Sequence, residues 1–242
     1  MSDITIRPKL EVCLSPALLH LYDVSHTIVV IIDIFRATST IAAALDNGAK
    51  AIMPVATVEE CLQKGKEIYN SITAGERDGH IAPGLQHGNS PLEYTKDFIQ
   101  GKTLILTTTN GTRLLHMVNR PHVTIITGSF LNLSAVCSFL LAQNQNVLLA
   151  CASWKDRFNL EDSLFAGAVA EKIAHAFSIS CDSTRAVMHL HKASEGKYLE
   201  FLKNSTHYAR LSAYGLWEDM NYCTTPDTHP VVPILKGEYL VI

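Results

Sequence analysis

The chain has 242 residues, 47% of them hydrophobic, and a formal net charge of −3. That suffices for a single domain over residues 1–242 with one large core, and the charge leaves no basic footprint for nucleic acid. No apolar run approaches the roughly 20 residues needed to cross a bilayer, and Met1 to Arg7 does not read as a secretory signal.

In chain order, Ile28-Val29-Val30-Ile31-Ile32 is the first firm element, five apolar residues that read as a buried strand. It runs into Asp33-Ile34-Phe35-Arg36-Ala37-Thr38-Ser39-Thr40, where charge and hydroxyls open a helix. Asn47-Gly48 ends that helix, and Ala51 to Val55 is the next strand. Thr57 caps a helix over Val58 to Tyr69, with Glu59 and Glu60 placed to favour its dipole. Ser71-Ile72-Thr73 is a short strand leading into Ala74-Gly75-Glu76-Arg77-Asp78-Gly79. In the loop His87-Gly88-Asn89-Ser90-Pro91, Ser90 reads as an N-cap and Pro91 as the first helical residue; Asn89 has no such role.

Thr103-Leu104-Ile105-Leu106 is a further buried strand, followed by Thr107-Thr108-Thr109-Asn110-Gly111-Thr112-Arg113 and a helix. This turn is suited to an anion. A helix start offers unpaired N–H groups and a positive dipole end. Hydroxyls add donors, Gly111 lets the backbone come close, and Arg113 can fork two oxygens. A plain hydroxyl-rich cap accounts for the same residues without a ligand. Val123 to Thr127 leads likewise into Gly128-Ser129-Phe130-Leu131-Asn132, and Val147 to Cys151 leads through a loop into Asn159-Leu160-Glu161-Asp162-Ser163. The pattern is helical from Glu161 to Phe177 and reads as wholly helical over 182–215. After Tyr222 come Pro226, Pro230 and Pro233, then Tyr239-Leu240-Val241-Ile242, which reads as an edge strand.

Strands alternating with helices make this an α/β protein. In open α/β sheets the ligand crevice lies outside the carboxyl ends of the strands, so four polar strand ends are expected to converge on one site. Asp33, Glu76, Glu161 and Asp162 are the carboxylates available there for a hard cation such as Mg²⁺. The bland alternatives are a cap or a buried ion pair with Arg36 for Asp33, a surface pair of Glu76 with Arg77, and a dipole role for Glu161 and Asp162. His189 and His191 point to different sides of a helix and suit one zinc ion poorly. The six cysteines form no C-x-x-C and read as reduced thiols of a cytoplasmic protein. There is no P-loop, no G-x-G-x-x-G, no D-x-D at Asp33, no cysteine-phosphatase loop and no G-x-S-x-G.

Taken together, Asp33 to Thr40, Ala74 to Arg77, Gly88 to Pro91, Thr107 to Arg113, Gly128 to Asn132 and Leu160 to Asp162 occur in an order that resembles the 2-phosphosulfolactate phosphatases of coenzyme M biosynthesis. The resemblance implies a three-layer α/β/α fold with a large mixed, mostly parallel sheet. It also implies Mg²⁺-dependent release of phosphate from 2-phospho-3-sulfolactate, giving 3-sulfolactate. On that reading Asp33, Arg36 and Arg113 are catalytic, and Asp33, Glu76, Glu161 and Asp162 hold the metal. Arg77, Asn89, Thr108, Thr109, Asn110, Gly111, Thr112, Ser129 and Asn132 bind a small anionic phosphoester. A homo-oligomer is compatible with the sequence. Ser153-Trp154-Lys155-Asp156-Arg157 departs from the small residues expected before the Glu-Asp pair and bears on the substrate. The alternatives are a phosphatase for another small anionic phosphoester and a non-catalytic phospholigand-binding protein.

Overall fold

The computed structural model describes residues 7–77 and 79–242. Asp78 and most of the N-terminal segment discussed above lie outside them. Strand β1 (Leu10–Cys13) precedes β2 (Thr27–Ile32), whose six residues are all buried. A strand with no solvent-facing side chain needs a layer on each face. Ile28, Val30 and Ile32 point into one core, and Val29 and Ile31 into the other. Helix α1 (Ala37–Asp46) is built of small and apolar residues and buries every one from Ala37 to Leu45. Strand β3 (Ala51–Pro54) and helix α2 (Val58–Glu67) follow, with Thr57 Oγ1 accepting from Glu60 N at the cap. Strand β4 (Ser71–Arg77) outruns its three-residue sequence signal and turns back as β5 (His80–Ile81). Ser90 caps a 3-10 turn over Pro91–Glu93.

Next come α3 (Lys96–Ile99), β6 (Thr103–Thr107), α4 (Gly111–Val118), β7 (Thr124–Gly128), α5 (Leu133–Gln143), β8 (Asn146–Cys151) and α6 (Leu160–Ile173). The span 182–215 is not one helix. It breaks into α7 (Asp182–Ser194), α8 (Tyr198–Leu202) and α9 (Thr206–Ala213). Gly196 adopts a φ of 73°, which stops α7, and Ser205 caps α9 by accepting from Tyr208 N. Helix α10 (Trp217–Cys223) and the hairpin β9 (Ile234–Lys236) and β10 (Tyr239–Val241) complete the chain.

The ten strands form one mixed, mostly parallel sheet in the order β1-β8-β2-β7-β9-β10-β3-β6-β4-β5. The C-terminal strand is therefore not at an edge. The hairpin sits mid-sheet, with Ile234 paired to Ile126 of β7 and Leu240 paired to Ile52 of β3, all antiparallel. Pro226, Pro230 and Pro233 precede the hairpin, so its own N–H groups remain free to pair. On one side of the sheet Leu133, Val136, Phe165 and Val169 form the core; on the other, Ile41, Leu45, Leu114 and Leu115. This is the three-layer α/β arrangement. Helices α6 and α7 touch backbone to backbone, since a Cβ on Gly167 would lie 2.1 Å from Val187 O. Among the described residues no helix is long and apolar enough to cross a membrane.

Candidate active site

Four strand ends surround a cavity of about 240 Å³. The end of β2 supplies Asp33 and Arg36, and β4 supplies Glu76. The β6–α4 turn supplies Thr108, Thr109 and Asn110, and the loop after β8 supplies Ser153, Trp154 and Lys155. Asn89 enters from the loop before the 3-10 turn, and α9 forms a wall with His207, Arg210, Leu211 and Tyr214.

The neighbours of each group explain its position. Asp33 faces Gly111, where a Cβ would come within 2.8 Å of its Oδ2, so only glycine lets the α4 N-terminus approach this carboxylate. Asp33 keeps some exposure to the cavity, yet the surrounding protein raises its pKa to about 6. Burial is the main cause; His207 opposes it and Glu76 adds to it. Glu76 organises the turn after β6: its Oε1 accepts from Thr109 N (3.2 Å) and Oγ1 (2.9 Å), and its Oε2 from Gly79 N (3.2 Å). Thr108 and Thr112 cap one another, each backbone N–H donating to the other's hydroxyl. Arg36 is buried and paired with Asp219, whose other oxygen accepts from Ser90 Oγ (2.7 Å). Asn89 is buried, and its Oδ1 has no hydrogen-bond partner.

Glu161 and Asp162 stand behind the cavity. Both are fully buried at the start of α6. Asp162 Oδ1 accepts from Ile34 N (2.9 Å) and Oδ2 from Ser153 N (3.1 Å), which staples the ends of β2 and β8 together. Burial, with Glu161 and Asp33 nearby, pushes its carboxyl well above the usual range. Glu161 pairs with His207 Nδ1 through Oε1, while its Oε2 has no partner.

The remaining expected site residues lie elsewhere. Ser129 and Asn132 are buried in a capping box after β7, and Asn132 Nδ2 donates to Val231 O (2.8 Å), fastening the segment that leads to β9. Arg77 donates to Glu76 O (2.6 Å) and Thr107 Oγ1 (3.3 Å) and lines a neighbouring groove with Arg113 and His116. Arg113 is half exposed and forks Asp156, with contacts of 2.9 and 3.4 Å. His191 is buried against the Tyr198 hydroxyl and His189 is exposed, so they share no metal. The six cysteines are free.

A comparison with protein-family models matches residues 13–238 to 2-phosphosulpholactate phosphatase. The chain belongs to this family. It is 44% identical over 213 residues to a probable 2-phosphosulfolactate phosphatase of Thermotoga petrophila, covering 88% of this chain and 91% of that one. It is 38% identical over 218 residues to a protein of the same name from Caldanaerobacter subterraneus, covering 89% and 90%. A third, from Clostridium acetobutylicum, is 37% identical over 215 residues, covering 87% and 91%.

In this member of the 2-phosphosulpholactate phosphatase family, the wall formed by α9 is what the sequence reading missed. His207, Arg210, Leu211 and Tyr214 recur at helical spacing and so share one face. Merging 182–215 into one long helix hid the cap at Ser205 and with it the start of this face. Trp154 and Lys155, the unusual residues of the β8 loop, do line the cavity, whereas Arg157 does not and instead forms a small bridge with Trp154.

Proposed function

We propose that this chain hydrolyses 2-phospho-3-sulfolactate to 3-sulfolactate and inorganic phosphate, with Mg²⁺ as cofactor, in the cytoplasm and as a step of coenzyme M biosynthesis. Family membership supports the reaction class, and the names of the relatives supply the substrate. The observation that carries the reading is a single cavity lined by both carboxylates and cations. Asp33 and Glu76 line it together with Arg36, Lys155 and Arg210, around a volume of about 240 Å³.

The oxygen atoms at this cavity fit a hard cation. Among the described residues no three His, Cys, Asp or Glu side chains form a ready metal cage. Mg²⁺ does not need one, because it keeps several waters and takes one or two carboxylates plus substrate phosphate. Asp33, Glu76 and the unpartnered Asn89 Oδ1 would hold it. Bound there, it would neutralise charge on the phosphoryl oxygens.

The chain's own groups account for the rest. Arg36 engages Asp219 through Nη1, and a guanidinium has five donors, so others remain for the phosphoryl group. Backbone N–H groups at the start of α4 add to the anion field. No second Asp follows Asp33 two residues on, which supports attack by water over an aspartyl-phosphate.

Phosphate release from 2-phospho-3-sulfolactate is expected with Mg²⁺, to be lost in chelator and to return on adding Mg²⁺ or Mn²⁺. Full turnover in chelator would remove the metal from this reading. No release from any phosphoester, with the ligand still bound, would leave a phospholigand-binding protein.

A further inference from the structure

Arg36 is the cation that the proposed reaction uses at the phosphoryl group, and it is buried. A buried guanidinium needs a fixed counter-charge, and its planar fork takes its direction from that partner. Among the described residues its ion-pair partner is Asp219 of α10, which is buried as well. Arg36 lines the main cavity and Asp219 does not. Asp219 instead lines a smaller adjoining hollow of about 230 Å³, which it shares with Arg36, Asn89 and Ser90.

The carboxylate is itself held by both oxygens. Oδ2 accepts from Arg36 Nη1, and Oδ1 accepts from Ser90 Oγ (2.7 Å). Ser90 Oγ in turn accepts from Leu92 N (3.3 Å), at the cap of the 3-10 turn. The loop before that turn is tied down twice more. Tyr94 Oη donates to Gly88 O (2.6 Å), and Thr40 Oγ1 of α1 donates to Asn89 O (2.8 Å). Met220 and Cys223 are fully buried and seat α10. Asp219 thus joins three elements: the β2–α1 turn through Arg36, the Asn89 loop through Ser90, and α10 by its own backbone. Two of the three carry groups that line the cavity, Arg36 and Asn89. A buried ion pair adds little net stability over apolar residues of similar volume, so stability alone is a weak reason for this one.

We infer that Asp219 is a positioning residue: it aims the Arg36 guanidinium at the phosphoryl group, and Ser90 fixes the carboxylate that does so. This rests on the function proposed above and deepens it. With Nη1 held by Asp219, the remaining donors of the planar fork are set in one orientation before substrate arrives. A donor aimed in advance needs no reorganisation in the transition state, whereas a guanidinium free to turn would have to be ordered at each turnover.

The test measures kcat and KM for 2-phospho-3-sulfolactate, and the Kd of inorganic phosphate by calorimetry, with Mg²⁺ throughout. The variants are Asp219→Asn, Ser90→Ala and Arg36→Met, with each of the first two also made in the Arg36→Met background. In folded Asp219→Asn, kcat should fall about tenfold or more and phosphate should bind about threefold more weakly. A merely structural role would reduce the amount of active protein and leave KM and the phosphate Kd as in the parent. In the Arg36→Met background, Asp219→Asn should change kcat by less than about twofold, because the group it aims is gone. Parent-like kcat and phosphate binding in folded Asp219→Asn, or the same loss with and without Arg36, overturns the inference. If Asp219→Asn does not fold, because Arg36 is left unpaired, Ser90→Ala decides, since it frees Oδ1 and keeps the ion pair. Its kcat should then fall about threefold, and only where Arg36 is present; an unchanged kcat overturns the inference. If the parent releases no phosphate from this substrate, the proposed function fails and the phosphate Kd alone decides. Weaker phosphate binding in whichever variant folds keeps the positioning role, whereas equal or absent binding removes it.

Discussion

The turn after β6 and the turn after β7 look alike in composition and differ in what they do. Both follow a buried strand, both open a helical segment, and both are rich in Thr, Ser and Asn. After β6, Thr108, Thr109 and Asn110 line the cavity. After β7, Ser129 and Asn132 are wholly buried, and Asn132 joins Ser129 N to Val231 O. What lies opposite decides the outcome: α9 and an open space in one case, the segment leading to β9 in the other. Polar composition at a strand end therefore marks a hydrogen-bonding centre, and only the three-dimensional neighbours tell whether the partner is a ligand or the chain itself.

The largest effect should come from Asp33, the carboxylate that the end of β2 presents to the cavity beside the β6 turn. Asp33→Asn should lower kcat by about a hundredfold or more, the range for a charged group acting directly at the reacting centre. The pH profile carries the same information. Asp33 has its pKa raised from 3.8 to about 6, so activity that needs its carboxylate should fall as pH drops through about 6. Stability runs the opposite way. Between about 4 and 6 the folded state binds this proton more tightly than the unfolded chain, so ionising Asp33 as pH rises costs stability. Asp33→Asn should thus not lower Tm at pH 7, and should flatten the dependence of Tm on pH over that window. A variant that is inactive because it is unfolded would void the contrast, and circular dichroism checks this.

Asn132→Ala should show the converse. Losing the buried hydrogen bond to Ser129 N and the partly buried one to Val231 O should cost about 1–3 kcal/mol by urea unfolding. Its kcat/KM per folded molecule should stay within about twofold, since a group outside the cavity holds no transition-state contact to lose. Activity lost at unchanged stability would mean that the β7 turn does serve the substrate.

These contrasts also show how far the sequence could be read. The alternation of strands and helices was legible because buried strands such as Thr27–Ile32 and Thr103–Thr107 are continuous apolar runs. So were Asp33, Glu76 and the β6 turn, each a polar cluster directly after such a run. The mid-sheet position of the C-terminal hairpin was not legible. Three-residue strands carry little periodicity, and each joins the rest of the sheet, antiparallel, through a single residue pair, Ile234 with Ile126 and Leu240 with Ile52. Nor was the α9 wall, because His207 and Arg210 come from a helix more than 170 residues beyond Asp33 and only the fold brings them together. The same reason separates Arg113 from the site. Its neighbours in sequence reach the cavity, but its own side chain leaves the helix on the far side and meets Asp156.

Arg113 therefore gives the smallest effect and the sharpest reading of the β6 turn itself. If it forked the phosphoryl group, Arg113→Lys would lose the planar, bidentate geometry and a large part of kcat with it. The structure instead places it half exposed on Asp156, in a pair of the kind worth about 0–1 kcal/mol. A lysine keeps the charge and can still reach Asp156 with one contact. Arg113→Lys should accordingly change kcat/KM by less than about threefold, and that change should shrink further in high salt as the exposed pair is screened. A tenfold loss in a folded, salt-insensitive variant would show that Arg113 swings into the cavity during turnover, and the division drawn here between the turn and its arginine would have to be given up.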